Sequence, residues 1–254
     1  MKIERPPRIA LIGYGKMGRE IESVAQELDV PIAAIIDTNI SAKENVINAK
    51  SLSDVDVCIE FTQPDAVLAN ITAIALAGKH VVVGTTGWYH SMSVVEALVR
   101  KHDIGLVYAS NFSLGMNLFY ELVKQATLIF NPFDSYDCTL HESHHAKKKD
   151  SPSGSALQIA KLILEHSKSK SSMVTGDIQR EKSYDELHVS SSRGGSAPGV
   201  HQVIFDSLAD SVELIHTARN RRGFAEGALI AAEWIKDKKG LFTMENVLRD
   251  IKSV

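Results

Sequence analysis

The sequence predicts an α/β protein with a Rossmann-type parallel-sheet domain and a second α+β domain containing a mixed or antiparallel sheet. In the first half, short apolar runs alternate with longer segments of helical periodicity, as in a parallel sheet covered by helices. This alternation stops after Asn111. From residue 186 onward, three strand-like runs follow one another with short links, which indicates a different type of sheet.

The first half contains five predicted strands of the parallel sheet. We expect them at residues 9–12, 32–36, 55–61, 80–83 and 104–109. Helices are expected to reach about residue 28 and to span about 64–77 and 91–102. The strands are apolar on both faces, which favours burial between two helical layers.

The second half begins with a predicted helix at 114–130, a strand at 135–143 and a helix at 153–166. The polar residues 167–172 are expected to form a flexible connection. Strands are expected at 186–193, 200–207 and 212–218, and helices at 223–236 and 243–251. We therefore expect one domain from residues 1–111 and 222–254, and a second from residues 112–221.

Composition excludes several classes of protein. The formal net charge is −3, and the longest basic cluster is residues 147–149, so no nucleic-acid-binding face is expected. Two cysteines among 254 residues exclude a disulfide scaffold. The sequence has no apolar run of membrane-spanning length and no signal-peptide pattern at its start, so we expect a soluble cytoplasmic protein without a membrane partner.

A glycine-rich loop, Gly13-Tyr-Gly15-Lys16-Met17-Gly18, follows the first predicted strand and opens a helix. In this context the G-x-G-x-x-G pattern indicates dinucleotide binding. Gly13 is expected to make the tight turn, Gly15 to leave room for the pyrophosphate, and Gly18 to let the helix pack on the strand. The helix N-terminus then offers N–H groups to the phosphates. An ordinary structural turn is the alternative.

Asp37 ends the second predicted strand and is expected to hydrogen-bond the ribose hydroxyls of the adenosine. Its charge would repel a 2′-phosphate, and the following Thr38 and Asn39 bring no positive charge. The sequence therefore favours NADH over NADPH. Lys16 leaves this choice open, because it can reach an adenosine phosphate or extend into solvent.

Two further loops follow strands of the parallel sheet. Residues 84–87, Gly-Thr-Thr-Gly, come directly after the fourth strand, where such sheets bind ligands. Residues 109–113 end the fifth strand at the same edge and are also expected to form the hinge into the second domain. A plain strand-to-helix turn is the alternative for residues 84–87.

Residues 142–156 contain two histidines, three lysines and a Pro-Ser-Gly-Ser turn that opens a helix. Ser153 is a candidate N-cap, and the helix start offers N–H groups to a carboxylate. A nearby lysine would add a positive charge, and a histidine can donate a proton near neutral pH. The alternative is a solvated basic loop with an ordinary helix cap.

Residues 141–145 also match H-E-x-x-H, the pattern of zinc proteases. That pattern requires a helix, on which both histidines share one face. The preceding residues alternate like a strand, in which side chains four apart are separated by roughly 13 Å. We therefore expect no metal site here.

The segment 142–156 resembles the signature of 4-hydroxy-tetrahydrodipicolinate reductases, also called dihydrodipicolinate reductases: E-x-H-H-x-x-K-x-D-x-P-S-G-T-A. Ser155 stands where the family usually has Thr. The resemblance extends over nearly the whole chain and includes the Gly13 loop, Phe61-Thr62, residues 84–87, residues 109–113 and Arg193-Gly-Gly. The glycine loop departs slightly from the family, in which many members have one more residue.

The resemblance implies NAD(P)H-dependent reduction of 4-hydroxy-tetrahydrodipicolinate to tetrahydrodipicolinate in lysine and diaminopimelate biosynthesis. It assigns the general acid to His144 and the substrate-carboxylate lysine to Lys148. The implied pocket for the dicarboxylate ring comprises His145, Ser153, Gly154 and Ser155. With the loops above, the cofactor-binding residues are expected to be Gly13, Gly15, Lys16, Met17, Gly18, Asp37, Phe61, Gly84, Thr85, Thr86, Ala109, Ser110, Phe112 and Arg221.

The resemblance also implies domain closure at hinges near Asn111 and Arg221. It implies a homotetramer joined through the sheet of the second domain. Two other classes of protein stay open from the sequence. One is another Rossmann dehydrogenase of amino-acid metabolism, and the other is a non-catalytic nucleotide sensor.

Overall fold

The computed structural model describes residues 3–38 and 46–252. The chain divides into two compact units. The first unit comprises Met1–Leu114 and Arg221–Val254, and the second comprises Gly115–Asn220. The sequence had suggested domain changes at 111/112 and 221/222.

A parallel sheet forms the centre of the first unit. It contains β1 (Ile9–Ile12), β2 (Ile32–Ile36), β3 (Val57–Glu60), β4 (His80–Val83), β5 (Gly105–Tyr108) and β11 (Gly240–Thr243). The order is β11-β5-β4-β3-β1-β2, and every pair is parallel. The strand order reverses between β1 and β3, because the chain leaves β1 towards β2 and then returns to the other side. Sheets of this type bind ligands at the carboxyl ends of the strands at such a reversal.

Helices cover both faces of this sheet. One face packs against α1 (Lys16–Glu27), α6 (Arg222–Ile235) and α7 (Met244–Lys252). The other packs against α2 (Pro64–Leu76) and α3 (Met92–His102). The central strands are buried throughout, which explains why their sequences are continuously apolar.

The second unit is a mixed sheet with two helices on one face. It contains β6 (Asp137–His144), β7 (Ser172–Thr175), β8 (Glu186–Arg193), β9 (Gly199–Asp206) and β10 (Ser211–Ala218). The order is β10-β9-β6-β8-β7. The pairs β10–β9 and β6–β9 are antiparallel, whereas β6–β8 and β7–β8 are parallel. The helices α4 (Leu114–Phe130) and α5 (Gly154–His166) cover the apolar face of this sheet.

The predicted fold class is confirmed, and most elements lie within two residues of their predicted bounds. Two short strands, β7 and β11, were not predicted. β7 begins inside the segment expected to be a connection, and Lys170 just before it is 3% exposed. The amine of Lys170 contacts Asp137 and the carbonyl of Tyr184. These partners are 33 and 14 residues away, so a local pattern of polar residues does not reveal the burial.

Among the described residues, no helix has both the length and the apolar character needed to cross a membrane.

Candidate active site

The glycine loop of the first unit lies at the end of β1. Gly13 has a φ of +91°, and an added Cβ would meet the carbonyl oxygen of Phe61 at 2.3 Å. A Cβ on Gly18 would meet the Gly13 carbonyl at 2.3 Å. These two glycines therefore permit the turn and the close approach of α1, as the sequence predicted.

Gly15 is exposed, and a Cβ added to it would meet no atom within 4 Å. It is the N-cap of α1, and no side chain caps this helix start. The first turn of a helix has N–H groups without partners in the helix, together with a partial positive charge. The start of α1 thus combines open space with donors for a phosphate, which fits a bound dinucleotide.

A cleft of about 610 Å³ lies beside this loop, and the ends of β1, β2 and β3 line it. Asp37 is at the end of β2, and its Oδ2 accepts a hydrogen bond of 2.6 Å from the N–H of Tyr14. The acid predicted to bind ribose is therefore fixed against the glycine loop. Thr38 also lines the cleft, whereas Asn39 lies outside the described residues.

The loop after β4 is packed against the loop after β3. A Cβ on Gly84 would lie 2.1 Å from ring atoms of Phe61. The ring of Phe61 in turn stands edge-on to Phe112, with 6.0 Å between ring centroids. Phe112 is 1% exposed, so its side chain supports Phe61 from within the core. Gly84 is the position that leaves room for this aromatic pair.

Thr85 and Thr86 have different surroundings, although both were predicted to bind the cofactor. Thr85 is 8% exposed, and its Oγ1 accepts a hydrogen bond of 2.8 Å from the N–H of Thr62. Its carbonyl accepts one of 2.8 Å from the Trp88 indole. The carboxyl group of Glu60 is buried beside Thr62 and Thr85. Burial raises the pKa of Glu60, and hydrogen bonds from these two threonines oppose this effect by lowering it. Thr86 is exposed, so it is the threonine with surface for a ligand.

The other predicted cofactor residues of the first unit lie at its surface or partly buried. Ser110 and Arg221 are exposed, and Ala109 is half-buried after β5. Lys16 is exposed in the first turn of α1, whereas Met17 packs partly against the core. Their contacts with a cofactor stay predictions.

In the second unit, the sheet register brings polar side chains together on the buried face. Glu142 and His144 are two residues apart on β6 and therefore point to the same face. Glu142 pairs with His201 on β9 and with Ser191 on β8. His144 pairs with Arg193 on β8. The relative exposures of Glu142, His144 and His201 are 0%, 6% and 3%.

The carboxylate of Glu142 is held by three donors on one oxygen. Its Oε1 accepts hydrogen bonds from Arg193 Nη2 at 2.7 Å, from Ser191 Oγ at 2.8 Å and from the Ser153 N–H at 3.1 Å. Burial alone would raise the pKa of Glu142, but these hydrogen bonds lower it to about 2. Glu142 is therefore ionised at neutral pH despite its burial.

The second oxygen of Glu142 faces His144, with 2.6 Å between Oε2 and Nδ1. Neither atom has a well-directed hydrogen bond in the described structure, because the oxygen lies off the N–H direction. Burial lowers the pKa of His144, Glu142 opposes this, and the charges of Lys148 and Arg193 lower it further. In the unliganded protein, neutral His144 is therefore favoured near pH 7.

His201 packs against the His144 ring and lies close to Ser153. Its ring stands edge-on to that of His144, with 5.3 Å between centroids. Its Nε2 lies 3.2 Å from Ser153 Oγ. Burial first, and then the neighbouring His144, lower the pKa of His201 to about 4. His201 is thus neutral at physiological pH and adds no charge beside His144.

Glu142, His144 and His201 have potential metal ligands within 4.8 Å of one another. Two ligands of a tetrahedral zinc ion lie about 3.3 Å apart, since each bond is about 2 Å long. The 2.6 Å between Glu142 and His144 is shorter, and Arg193 already neutralises the carboxylate. The arrangement therefore fits a shared proton better than a metal ion.

Of the three adjacent lysines, Lys148 is half-buried, whereas Lys147 and Lys149 are exposed. Its Nζ lies 2.9 Å from Asp150 Oδ1, and its N–H closes a turn onto the His145 carbonyl at 3.0 Å. The choice of Lys148 as the substrate lysine stays a prediction. His145 is half-buried directly after β6.

Ser153 is the N-cap of α5, as the sequence predicted, and its Oγ accepts a hydrogen bond of 3.2 Å from the N–H of Ala156. Gly154 follows at the surface, and a Cβ added there would meet nothing within 4 Å. Ser155 is half-buried in the first turn. Because the Ser153 N–H binds Glu142, the carboxylate beside His144 is linked directly to this helix start.

The H-E-x-x-H match is not a zinc site of the protease type. His141 lies within strand β6 rather than on a helix, and its Nδ1 is 2.8 Å from Ser190 Oγ. The prediction of a strand is confirmed.

Sequence reasoning missed three residues of this group: Glu142, Arg193 and His201. Glu142 and Arg193 were named only within segments that resemble the family. The alternation of Glu142 and His144 along a predicted strand was an available signal, since both must share a face. The positions of Arg193 and His201 depend on strand pairing, which no local pattern specified.

Comparison with protein families identifies both halves of the chain. A family model described as "Dihydrodipicolinate reductase, N-terminus" matches residues 7–112. A model described as "Dihydrodipicolinate reductase, C-terminus" matches residues 115–248. A 4-hydroxy-tetrahydrodipicolinate reductase from Christiangramia forsetii is 39% identical over 245 residues, covering 96% of this chain and 98% of that protein. One from Chromobacterium violaceum is 37% identical over 204 residues, covering 78% and 75%.

Solved structures show the same architecture. A dipicolinate-bound dihydrodipicolinate reductase from Paenisporosarcina sp. TG-14 has a TM-score of 0.78 and 25% identity, covering 95% of this chain and 99% of that one. A probable dehydrogenase from Thermotoga maritima has a TM-score of 0.62 at 11% identity, which shows a shared fold alone.

Proposed function

The chain belongs to the dihydrodipicolinate reductase family, and on this premise we propose that it catalyses the NAD(P)H-dependent reduction of 4-hydroxy-tetrahydrodipicolinate to tetrahydrodipicolinate. This reaction belongs to lysine and diaminopimelate biosynthesis. The observation that carries the proposal is the arrangement of the buried Glu142–His144 pair in the second unit. The N–H of Ser153 links Glu142 of this pair to the start of α5. This arrangement combines a proton donor with a site for an anion.

The first unit supplies the cofactor site. When bound, NADH or NADPH would supply the hydride that reduces the ring. Gly13 and Gly15 give the phosphates access to the start of α1, and Asp37 faces the same cleft for the adenosine ribose. Phe61, held by Phe112, is a rigid wall of this cleft.

The second unit supplies the substrate site. Gly154 and Ser155, the first residues of α5 after the Ser153 cap, offer backbone N–H groups to one carboxylate of the ring, and Lys148 offers a positive charge. Hydride addition to a conjugated imine builds electron density that a nearby acid must neutralise. We assign that acid to His144. Its Nδ1 faces Glu142, so its Nε2 is the nitrogen that transfers the proton.

Substrate binding also prepares the acid. Lys148 and Arg193 lower the pKa of His144 in the free protein. A dianionic substrate offsets those positive charges, and it therefore favours the protonated histidine at the moment when the proton is needed.

We also propose that NADH is the preferred cofactor, because the carboxylate of Asp37 faces the adenosine end of the cleft and would repel a 2′-phosphate. We propose cytoplasmic action, since the reaction consumes reduced nicotinamide cofactor.

We propose a homotetramer in which the subunits associate through the sheet of the second unit, on the face opposite α4 and α5. There Ile215 on β10 is 55% exposed. Light scattering after size-exclusion chromatography would give the mass, and a monomeric mass would contradict this assembly.

A coupled assay tests the function directly. Condensation of aspartate semialdehyde with pyruvate supplies the substrate, and the loss of NADH absorbance reports reduction. His144→Gln should mainly lower kcat, whereas Lys148→Ala should also raise the substrate KM. Absence of turnover by the unmodified protein with either cofactor would refute the proposed reaction. If both variants kept a near-normal kcat/KM, the loop would not be catalytic.

A further inference from the structure

Glu142 is an ionised carboxylate with no exposed surface. A buried charge is costly unless hydrogen bonds and an opposite charge compensate it. Here Arg193, Ser191 and the N–H of Ser153 all bind the same oxygen, Oε1. These donors fix the orientation of the carboxyl group, and they leave Oε2 directed at His144.

The position of the His144 ring is restricted from the opposite side as well. A Cβ on Gly199 would lie 2.7 Å from His144 Nε2, so the ring fits only because residue 199 is glycine. His201 packs edge-on against the same ring. His144 therefore lies between the fixed oxygen of Glu142 and the backbone of β9, although its N–H is not yet well aligned with that oxygen. Such contacts commonly tighten when substrate binds.

We propose that Glu142 is the positioning residue of the catalytic acid: its fixed, ionised Oε2 holds the proton on His144 Nδ1 and keeps Nε2 as the nitrogen that protonates the substrate. This inference rests on the proposed function. An ionised partner stabilises the imidazolium against the positive charges of Lys148 and Arg193, which oppose it. Without Glu142, the acid would lose both its orientation and its proton.

Glu142→Gln separates this role from a structural one, because glutamine has nearly the same shape. Its amide oxygen can still accept the hydrogen bonds from Arg193, Ser191 and Ser153. The amide nitrogen would then face His144 and donate a hydrogen bond to Nδ1. That reversal favours the neutral tautomer with its proton on Nε2 and disfavours the imidazolium.

The first measurement is nitrogen-15 NMR of the histidines in the full, unliganded chain, with the His144 signals assigned from His144→Gln. We expect neutral His144 to carry its proton on Nδ1 in the unmodified protein and on Nε2 in Glu142→Gln. His141→Gln is the matched control, because His141 lies on the opposite face of the same strand and its replacement should leave the His144 tautomer unchanged. An unchanged tautomer in Glu142→Gln would overturn the proposal.

The second measurement is a double-mutant cycle in the coupled assay. We expect Glu142→Gln to lower kcat about 10- to 100-fold, the range found for carboxylates that orient metal-bound histidines. In the His144→Gln background, the same substitution should change kcat less than about twofold, because the residue acts through His144. Equal losses in both backgrounds would show a structural role only. Failure of the proposed function has a different signature, since the unmodified protein would then show no turnover.

Discussion

Gly84 and the ring of Phe61 are packed so closely that a methyl group on residue 84 would not fit between them. The ideal Cβ of an alanine at residue 84 would lie 2.1 Å from the ring of Phe61, far inside normal contact distance. Phe61 cannot withdraw freely, because Phe112 stands against its edge. The glycine after β4 therefore determines the position of an aromatic wall of the cofactor cleft.

Gly84→Ala should push the Phe61 ring out of place. Overpacking of this kind costs about 1–3 kcal/mol, so the melting temperature should fall by several degrees. The KM for NADH should rise about 10-fold, which corresponds to about 1.4 kcal/mol of lost binding free energy, while the substrate KM changes little. Differential scanning fluorimetry and initial-rate kinetics test both effects.

Gly194→Ala is the control for this substitution. A Cβ at residue 194 would meet no atom within 4 Å. A Gly84→Ala variant that matched this control in melting temperature and in NADH KM would refute the steric argument.

Replacement of each of the three adjacent lysines by alanine should change the substrate KM to different extents. Lys148 is half-buried beside Asp150, whereas Lys147 and Lys149 are exposed. Lys148→Ala should raise the substrate KM about 10- to 100-fold, because a charge-assisted bond to a carboxylate is worth about 1.5–3 kcal/mol. The substrate KM of the two neighbouring variants should stay within about threefold of that of the unmodified protein. Equal effects at all three positions would indicate a general positive field rather than a specific contact.

The sequence predicted five of the six strands of the parallel sheet, all but β11, because their signals are local. Strands buried on both faces are continuously apolar, and the glycine loop imposes its own turn. The N-cap at Ser153 was predicted for the same reason. β7 and the burial of Lys170 were missed because they depend on contacts with Asp137 and Tyr184, far along the chain. Likewise, the environment of His144 depends on Arg193 and His201, which strand pairing brings to it.

Asp37 should control the choice between the two cofactors. Asp37→Asn keeps an oxygen to accept the Tyr14 N–H but removes the negative charge. We expect the ratio of kcat/KM for NADPH over NADH to rise about 10-fold, which corresponds to about 1.4 kcal/mol. Initial rates with each cofactor measure it. Asp65→Asn changes another carboxylate of the same cleft and is the control. An equal shift in that variant would show that Asp37 has no special role.

The buried His201 should make the protein less stable as the pH falls. In the unfolded chain a histidine takes up a proton near pH 6.5, whereas the folded protein accepts one on His201 only near pH 4. Between these values the unfolded state binds more protons, so stability is full above pH 6.5 and decreases as the pH falls towards 4. The difference between the two pKa values corresponds to about 3 kcal/mol, of which about 2 kcal/mol should be lost by pH 5.

His201→Gln removes this contribution, so its melting temperature should fall less between pH 7.5 and pH 5 than that of the unmodified protein. His80, His144 and His216, whose pKa values are also lowered, are present in both proteins, so the comparison isolates the loss of His201 together with its electrostatic coupling to His144 and His216. Glu142, with its pKa of about 2, acts mainly below this range. His90→Gln changes an exposed histidine and should keep the full decrease. If His201→Gln lost as much stability as His90→Gln between the two pH values, His201 would not be the buried neutral group that the structure describes.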